Sequence, residues 1–477
     1  MTLFTFTLFS YGINPNGFPN SIVSPLRGWR SWNAVFEDVT QSFITRQVEA
    51  ITARTLVPPG GSSKKSLFDL GYTRVGIDAG WASCDGVNGS WHDASGHFIV
   101  NLTRFPDMKQ MNADAHERGV KMGFYLNQDG SCPEGKIPGA AANTGNFASY
   151  ANDIEDMVAL DFDAVKFDAG GGNDDTNRWA DEIFKSGREI MIENCNNGGY
   201  VPYKPPTAGA RGGGDAPVNC PFNMFRTGID IAPSPLSVVS NLLDASHYFN
   251  VSVPGCYAYP DMLELGAPVV GQYASPTRRS LCNATDGTVG DSAPRLSVEQ
   301  GRAQFAAWCT VSSPLILGFD LGNETEYATW FPIVTNPLAL RIQAAYVANT
   351  TGVLLARDAA TITTTVPHGA SCEDMKDSRA LPRWTLVGKP IAPFAPGSGT
   401  KTTSWALTAI NTDQAKPSSV SVALSAIGMA GAIAVTETDV WTGKETLVRP
   451  SDGRYVVSLP PGGHRFVVLE STAHSDT

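Results

Sequence analysis

The sequence has no long hydrophobic run and no run of basic residues. None of its apolar stretches approaches the ~20 residues that a membrane-spanning helix needs. The chain has 477 residues, with 35 Lys and Arg against 46 Asp and Glu, which gives a net charge of −11. Because an acidic surface repels phosphate backbones and anionic lipids, we expect neither a nucleic acid nor a membrane as partner.

Several catalytic and cofactor motifs are also missing. The sequence contains no CxxC pair, no HExxH, no GxSxG and no GxxxxGK, which removes the usual support for zinc sites, metallopeptidases, serine hydrolases and nucleotide hydrolases. Gly28 is followed by Trp29 rather than by a GxGxxG turn, which argues against dinucleotide binding. We therefore expect no metal and no cofactor.

Eight cysteines and six Asn-x-Ser/Thr sequons are present. The sequons begin at Asn88, Asn101, Asn250, Asn283, Asn323 and Asn349. Together these features favour a secreted or lumenal (lysosome-like) glycoprotein with disulfide bonds. Residues 1–25 are apolar at their start, which fits either the remnant of a signal peptide or a first strand.

Short apolar strands alternate with amphipathic helices from Leu26 to about Tyr346. The predicted strands are Leu26–Phe36, Tyr72–Trp81, Val120–Asn127, Asp163–Ala169, Glu189–Cys195, Phe222–Ile231, Cys256–Met262 and Pro314–Leu321. Because each parallel return needs a crossover, this order predicts a (β/α)8 TIM barrel in the α/β class over residues 26–346, with a doubly wound open sheet as the alternative.

The composition changes after Tyr346. Thr-, Val- and Ser-rich runs separated by Pro, Gly, Ser and Asp clusters predict a C-terminal antiparallel β-sandwich domain over residues 347–477. No aromatic cluster marks one of its faces, so we expect this domain to brace the barrel rather than to bind glycan.

Reacting groups of such a barrel lie at the carboxyl ends of its strands. The polar and aromatic residues at those predicted ends are Trp32, Asp78, Tyr125, Lys166, Asp168, Asn196, Arg226, Asp230 and Asp261, whereas the histidines mostly fall elsewhere. Lys166 and Asp168 share one side of their strand, where a cation keeps a carboxylate ionised for nucleophilic attack. Structural ion pairs at Lys166–Asp168 and at Arg226–Asp230 are the alternative.

Aromatic side chains also gather near these ends. Trp29, Trp32, Trp81 and Tyr125 fit either a hydrophobic core or a platform that stacks on the apolar face of a sugar ring.

Eight ordered segments resemble glycoside hydrolase family 27, the α-galactosidases and α-N-acetylgalactosaminidases. They are Gly28–Asn33 (GWRSWN), Gly71–Trp81 (GYTRVGIDAGW), Lys121–Tyr125 (KMGFY), Val165–Asp168 (VKFD), Phe225–Ile231 (FRTGIDI), Tyr259–Gly266 (YPDMLELG), Ser312–Leu321 (SSPLILGFDL) and Asp439–Gly443 (DVWTG). The resemblance implies a barrel followed by a β-domain and a retaining mechanism with two aspartates.

By motif, the resemblance makes Asp168 the nucleophile and Asp230 the acid/base. It makes Trp32, Asp78, Tyr125, Lys166, Arg226 and Asp261 sugar contacts, and Asn196 falls in the segment that recognises the 2-position. Retention requires two carboxyl groups about 5–5.5 Å apart. An acid that donates its proton to the leaving oxygen also needs the higher pKa of the pair, which we expect for Asp230.

The chain departs from the family pattern at three places. Ala79 stands where the family commonly has a second aspartate after Asp78, Asn196 and Asn197 replace a Glu-Trp pair, and Ala258-Tyr259 stands where Asn-Asp is frequent. A lost hydroxyl contact relaxes or redirects the choice of sugar.

The resemblance suggests a disulfide between Cys195 and Cys220. Predicted rim positions suggest Cys84–Cys132 and Cys256–Cys282, and Cys309 is expected to be a buried free thiol.

The leading hypothesis is a retaining exo-acting α-galactosidase that acts on galactosides or on glycan or glycolipid termini. Alternatives are a β-L-arabinopyranosidase, an α-N-acetylgalactosaminidase, or a catalytically silent carbohydrate-binding protein. A homo-oligomer is compatible with the sequence.

Overall fold

The computed structural model describes Ile22 and residues 24–127, 150–168, 175–196, 220–267, 295–369, 376–392 and 402–472. Cys132, Asn197 and Cys282 lie outside these residues, as does most of the 1–25 segment. In the described part of the chain, no helix is both long and apolar enough to cross a membrane.

Eight short parallel strands form the first sheet. They are β1 Arg27–Arg30, β2 Arg74–Gly76, β3 Lys121–Asn127, β4 Ala164–Asp168, β5 Met191–Cys195, β6 Met224–Arg226, β7 Tyr257–Tyr259 and β8 Leu315–Leu317. The sheet order is β7-β6-β5-β4-β3-β2-β1-β8. Past the end of β7, the Leu263 N–H donates to the Ile316 carbonyl at 2.9 Å, and a parallel bridge joins Leu263 to Leu317. These contacts bring the two outer strands together, so the sheet has the curvature of a (β/α)8 barrel.

Most helices of this part of the chain begin after a residue whose side chain caps them. The helices are α1 Trp32–Val35, α2 Gln41–Thr52, α3 Met108–Glu117, α4 Tyr150–Ala159, α5 Thr176–Lys185, α6 Pro235–Ser246, α7 Val298–Thr310, α8 Glu324–Val334 and α9 Pro337–Ala344. Ser297 and Gln300 form a reciprocal capping box at α7, and Ser234 caps α6 before Pro235. The alternation of strands and helices confirms the predicted barrel.

The first predicted strand is wrong in its second half. Leu26–Phe36 was expected to be extended, but β1 ends at Arg30 and the chain turns into α1 and a 3-10 turn, Phe36–Asp38. The apolar residues Ala34, Val35 and Phe36 are buried in this turn rather than in an extended strand. A short apolar run does not distinguish a strand from a buried helix.

Antiparallel strands follow from Val353 onward. They are β9 Val353–Arg357, β10 Thr361–Pro367, β11 Lys376–Pro382, β12 Trp384–Pro390, β13 Thr402–Asn411, β14 Ser418–Ala423, β15 Val435–Asp439, β16 Glu445–Val448, β17 Arg454–Leu459 and β18 His464–Thr472. They form a six-stranded sheet in the order β16-β15-β18-β13-β12-β9 and two pairs, β10-β11 and β14-β17. This confirms the predicted antiparallel β-architecture. The boundary at residue 346 remains a prediction.

The six-stranded sheet is buried on both faces. Along β13, Ala406 and Ile410 join the hydrophobic core of the barrel, whereas Leu407 and Ala409 join a second core with β14 and β17. This is the period-two alternation of a strand between two layers. Thr310 of α7 and Thr408 of β13 share a hydrogen bond of 2.6 Å across the junction. The sheet therefore packs directly on α7 of the barrel.

Candidate active site

A cavity of about 180 Å³ opens at the carboxyl ends of the barrel strands. It is lined by Trp32, Asn33, Glu37, Asp78, Ala79, Tyr125, Lys166, Asp168, Arg226, Asp230, Ile231, Asp261 and Met262. Eight of the nine site residues predicted from the sequence are in this set, the exception being Asn196. The barrel thus brings together residues that lie up to 229 positions apart in the chain (Trp32 to Asp261).

Asp168 is the last residue of β4. The hydroxyl of Tyr125, on the neighbouring strand β3, donates a hydrogen bond of 3.0 Å to Asp168 Oδ2. The Asp168 side chain is 26% exposed, so one part of the carboxylate faces the cavity while the tyrosine holds another. A carboxylate that is oriented and still accessible can attack an electrophilic carbon.

One guanidinium group joins the two aspartates proposed from the sequence. Arg226 Nη1 lies 2.5 Å from Asp230 Oδ1, and its Nη2 lies 4.0 Å from Asp168 Oδ1. Arg226 ends β6 and is 4% exposed, whereas the Asp230 side chain is 34% exposed. Both carboxylates therefore border the same hollow, and a buried cation connects them.

Asp261 occupies a strained position that several contacts fix. It is not a glycine, yet its φ is +98°. Its carboxylate accepts hydrogen bonds from the backbone N–H groups of Ile231 and Met262, at 2.9 and 2.8 Å, and its carbonyl accepts one from the Trp308 indole. Strain of this kind persists where the surroundings over-determine it, commonly at functional sites. The contact to Ile231 also fixes the segment that carries Asp230.

Lys166 pairs with Asp78 rather than with Asp168. Its Nζ donates to Asp78 Oδ2 at 2.9 Å, and both side chains are almost fully buried. Behind them Arg30 forms a bidentate ion pair with Glu193 and approaches Asp78 to 3.8 Å. The floor of the cavity is thus a chain of alternating charges.

These partners set the protonation states. Burial opposes a charge on Lys166, but Asp78 and its other acidic neighbours raise the pKa of Lys166 above its ordinary value. Arg226 lowers the pKa of Asp230, whereas burial and the charge of Asp230 raise the pKa of Asp261. In the ligand-free pocket Asp230 is therefore held ionised, which is the opposite of what an acid needs.

Three predicted residues lie away from the cavity. Asn196 is buried, and its amide donates to Asn194 Oδ1 at 2.7 Å. Trp29 and Trp81 are 1% and 2% exposed and donate to the carbonyls of Phe319 and Tyr125. Of the four aromatic residues, Trp32 and Tyr125 line the cavity, whereas Trp29 of β1 and Trp81 after β2 belong to the core.

Sequence reasoning missed several residues around the pocket. Glu37, Asn33 and Met262 line it, and Arg30 and Glu193 support it. A signal for Arg30 and Glu193 was available, because each is a charged residue within an otherwise buried barrel strand. For Glu37 there was none, since the sequence predicted a strand where the chain turns.

Two predicted disulfides are wrong. Cys220 is bonded to Cys256, with a Cα–Cα distance of 6.1 Å, and Cys195 is a buried free thiol. Cys220 and Cys256 precede the neighbouring strands β6 and β7 at the same end, whereas Cys195 ends β5 at the opposite end. The length of a strand therefore separates Cys195 from Cys220, and Cys256 is not available to Cys282.

The predictions for Cys309 and Cys84 have different outcomes. Cys309 is a buried free thiol, as expected. Cys84 is disulfide-bonded, and its predicted partner Cys132 lies outside the described residues.

The chain has similar proteins among those already known. No protein-family model matches the chain. An α-galactosidase from Oryza sativa subsp. japonica is 25% identical over 309 residues, which cover 64% of this chain and 60% of the rice protein. The human α-N-acetylgalactosaminidase is 26% identical over 333 residues, 67% of this chain and 68% of the human protein. The chain thus spans less than two thirds of the rice relative's length.

A solved structure extends the likeness to nearly the whole fold. A glycoside hydrolase family 27 β-L-arabinopyranosidase from Geobacillus stearothermophilus, in complex with arabinose, has a TM-score of 0.63 and 17% identity. The match covers 94% of this chain and 97% of that protein.

The fold and the pocket define a (β/α)8 barrel protein with a carboxylate-lined cavity at its carboxyl rim and an antiparallel β-domain packed behind. With the relatives above, the likeness becomes specific. The chain is similar in sequence to proteins named as α-galactosidase and α-N-acetylgalactosaminidase, and in fold to a β-L-arabinopyranosidase of glycoside hydrolase family 27.

Proposed function

We propose that the protein is a retaining exo-glycosidase that hydrolyses terminal α-D-galactosyl residues in two displacement steps. The proposal rests above all on Asp168 and Asp230, two partly exposed carboxylates that border one cavity and share the guanidinium of Arg226. The relatives named as α-galactosidases support the sugar. The substrate is a small carbohydrate or the terminus of a glycan or glycolipid, and the sequons and cysteines favour a secreted or lumenal site of action.

Asp168 is the nucleophile in this proposal. Tyr125 fixes one of its oxygens, and the other faces the cavity near Arg226. Attack at the anomeric carbon forms a covalent glycosyl–enzyme and releases the leaving group. Water then cleaves that ester with the same overall stereochemistry.

Asp230 is the acid/base, and substrate binding must first change its surroundings. In the free pocket Arg226 lies 2.5 Å from Asp230 and lowers its pKa. A sugar hydroxyl that draws Arg226 away, together with the loss of water from the pocket, raises the pKa of Asp230 towards that of a proton donor. Arg226 therefore couples sugar binding to the protonation of the acid.

The remaining lining residues bind the sugar. Trp32 and Tyr125 offer aromatic faces, and Lys166, Asp78, Arg226 and Asp261 offer charged hydrogen-bonding groups. Asn196 contacts the 2-substituent of the sugar only if its hydrogen bond to Asn194 breaks. A β-L-arabinopyranosidase is the second candidate, because a family 27 enzyme with that activity shares this fold.

A panel of p-nitrophenyl glycosides tests the proposal. We expect release from the α-D-galactoside, with proton NMR showing the α anomer as the first product. Preference for the β-L-arabinopyranoside would support the second candidate. Binding of sugar without release at any pH from 3 to 8 would make the protein a carbohydrate-binding protein.

Amide variants of the two aspartates then test the roles. Asp168→Asn should lower kcat by roughly 10⁴-fold or more. Asp230→Asn should retain the first step for 2,4-dinitrophenyl galactoside, whose leaving group needs no acid. Glu49→Gln on the exposed face of α2 is the matched control. Near-normal activity of Asp168→Asn would show that the nucleophile is another residue.

A further inference from the structure

Glu37 is an acidic residue that lines the cavity together with Ala79, which carries only a methyl group. Glu37 is 6% exposed. A buried carboxylate that borders a polar cavity is costly to desolvate, so its place there needs a reason.

The backbone around Glu37 is built to hold it there. Phe36, just before it, has a φ of +49°, in the left-handed region that bulky residues avoid. Gly80 has a φ of +104°, and a Cβ at this position would collide with the carbonyl of Glu37. The Arg104 guanidinium donates to the carbonyls of both Glu37 and Gly80. Only a glycine at position 80 lets the Glu37 turn approach the Asp78–Ala79 segment this closely.

The strand order places Glu37 across the pocket from the reacting carboxylates. Glu37 follows β1, Asp168 ends β4 and Asp230 follows β6. In the closed order of eight strands, β1 is three positions away from both β4 and β6, and faces β5. A sugar whose anomeric carbon lies between Asp168 and Asp230 therefore directs the far side of its ring towards β1.

We propose that Glu37 is a specificity-determining residue whose carboxylate accepts hydrogen bonds from the hydroxyl groups on the far side of the terminal sugar ring, in particular the 4-hydroxyl. This inference rests on the proposed function, because that function fixes the orientation of the ring. Glu37 thereby supplies from the turn after β1 the acceptor that Ala79 cannot supply after β2.

The chemistry of this acceptor defines the class of sugar. A carboxylate accepts from hydroxyl groups and repels other anions, so the site takes neutral pyranosides and rejects uronides. A sugar that lacks the contacted hydroxyl leaves the carboxylate buried without that donor, which discriminates strongly against it.

A cycle of variant and substrate tests the contact. The enzyme and Glu37→Ala are each assayed with p-nitrophenyl α-D-galactoside and with its 4-deoxy analogue. With the parent substrate, Glu37→Ala should lower kcat/KM by about 10- to 100-fold, as expected for a hydrogen bond to a charged group. The wild type should lose a similar factor with the deoxy sugar, and the variant should lose little more. Glu49→Ala, an exposed glutamate of α2, should show neither loss.

The cycle separates a contact from a structural role. If both enzymes lose the same factor on removal of the 4-hydroxyl, Glu37 does not contact it and the proposal is wrong. Titration with galactose, monitored by tryptophan fluorescence, covers the case of an inactive wild type. There the proposed hydrolysis fails, but the contact is still supported if the wild type binds galactose more tightly than 4-deoxygalactose and Glu37→Ala binds the two sugars equally. Equal affinities of both proteins for galactose would overturn it.

Discussion

The cavity at the carboxyl rim of the barrel and the junction between the barrel and the β-domain both bury ionisable side chains, with opposite results. In the pocket, burial opposes the charges of Lys166 and Arg226, but neighbouring carboxylates raise the pKa of each well above its ordinary value. At the junction, burial lowers the pKa of Lys389 to about 7 and that of His464 to about 4. The pocket keeps its charges, and the junction favours neutral forms.

The partners explain the difference. Lys389 is fully buried and finds oxygen atoms without charge, the hydroxyl of Ser312 at 2.5 Å and the carbonyl of Ala345 at 3.2 Å. His464 accepts a hydrogen bond of 3.0 Å from the Trp441 indole, which requires an unprotonated Nε2. Buried charge costs free energy unless an opposite charge compensates it. Charge is therefore retained in the cavity, where opposite charges compensate it, and suppressed at the junction, where the partners are neutral.

Removal of one member of the buried Lys166–Asp78 ion pair should have the largest effect on stability. Lys166→Met leaves the carboxylate of Asp78 buried, with Arg30 at 3.8 Å as its nearest remaining cation. We expect the free energy of unfolding to fall by about 3 kcal/mol, the lower end for a broken buried pair, and kcat/KM to fall as well. Urea denaturation and assays on the nitrophenyl galactoside measure the two effects.

A double variant separates stability from activity. Lys166→Met combined with Asp78→Asn removes both charges and should recover most of the lost stability but not the lost turnover. If Lys166→Met unfolds at the same urea concentration as the wild type, the ion pair does not hold the pocket together.

Protonation at the junction should have the next largest effect. The pKa of His464 is lowered from 6.5 to about 4 in the folded protein, so the unfolded chain binds the proton first as the pH falls. The stability that neutral His464 contributes is therefore complete above about pH 6.5 and is lost as the pH falls through 4. Between pH 7.5 and 4.5 this group alone should cost roughly 2–3 kcal/mol.

His464→Gln tests this contribution, because a glutamine oxygen can accept from the indole and does not titrate. The free energy of unfolding is measured at several values between pH 7.5 and 4.5 for both proteins. Over this pH range the free energy of unfolding should fall less for the variant than for the wild type. The difference should equal the contribution assigned to His464. Identical pH dependences would contradict a lowered pKa at this position.

The sequence predicted those parts of the pocket that local patterns determine. Asp168 and Tyr125 come directly from strands with buried, apolar neighbours, so their place at the rim followed from periodicity and from the barrel. The predicted strand ends also gave Arg226 and Asp261, and the motif resemblance added the roles of these residues. Eight of the nine residues at the predicted strand ends line the cavity.

What the sequence could not supply depends on three-dimensional neighbours. The sequence predicted Asp168 as the partner of Lys166, but the side chains that meet inside the barrel make Asp78 its partner. The position of Glu37 depends on a turn, and the short apolar run there predicted a strand instead. The bond between Cys220 and Cys256 depends on the ends of two adjacent strands. None of these features is marked in the sequence by a hydrophobic period or by a motif spacing.

The smallest effect is expected where the two regions meet. Arg379 of β11 donates to Ser240 and Asp244 of α6, and Asp244 lies against Gly228, in the segment between Arg226 and Asp230. The Gly369 N–H, just past β10, donates to the Asp230 carbonyl at 2.9 Å. The β-domain therefore supports the segment that carries Asp230 from behind, through one backbone contact and one ion pair.

Arg379→Ala removes the ion pair and leaves the backbone contact in place. Because both side chains of the pair are 28% exposed, we expect a loss of at most about 1 kcal/mol in stability. The change in kcat should be a few-fold at most, with KM unchanged, since Arg379 does not line the cavity. Arg454→Ala on β17, which contacts only Ser421 in its own domain, is the control. A tenfold or larger loss of kcat in Arg379→Ala alone would mean that the ion pair between Arg379 and Asp244 sets the position of Asp230 from outside the cavity.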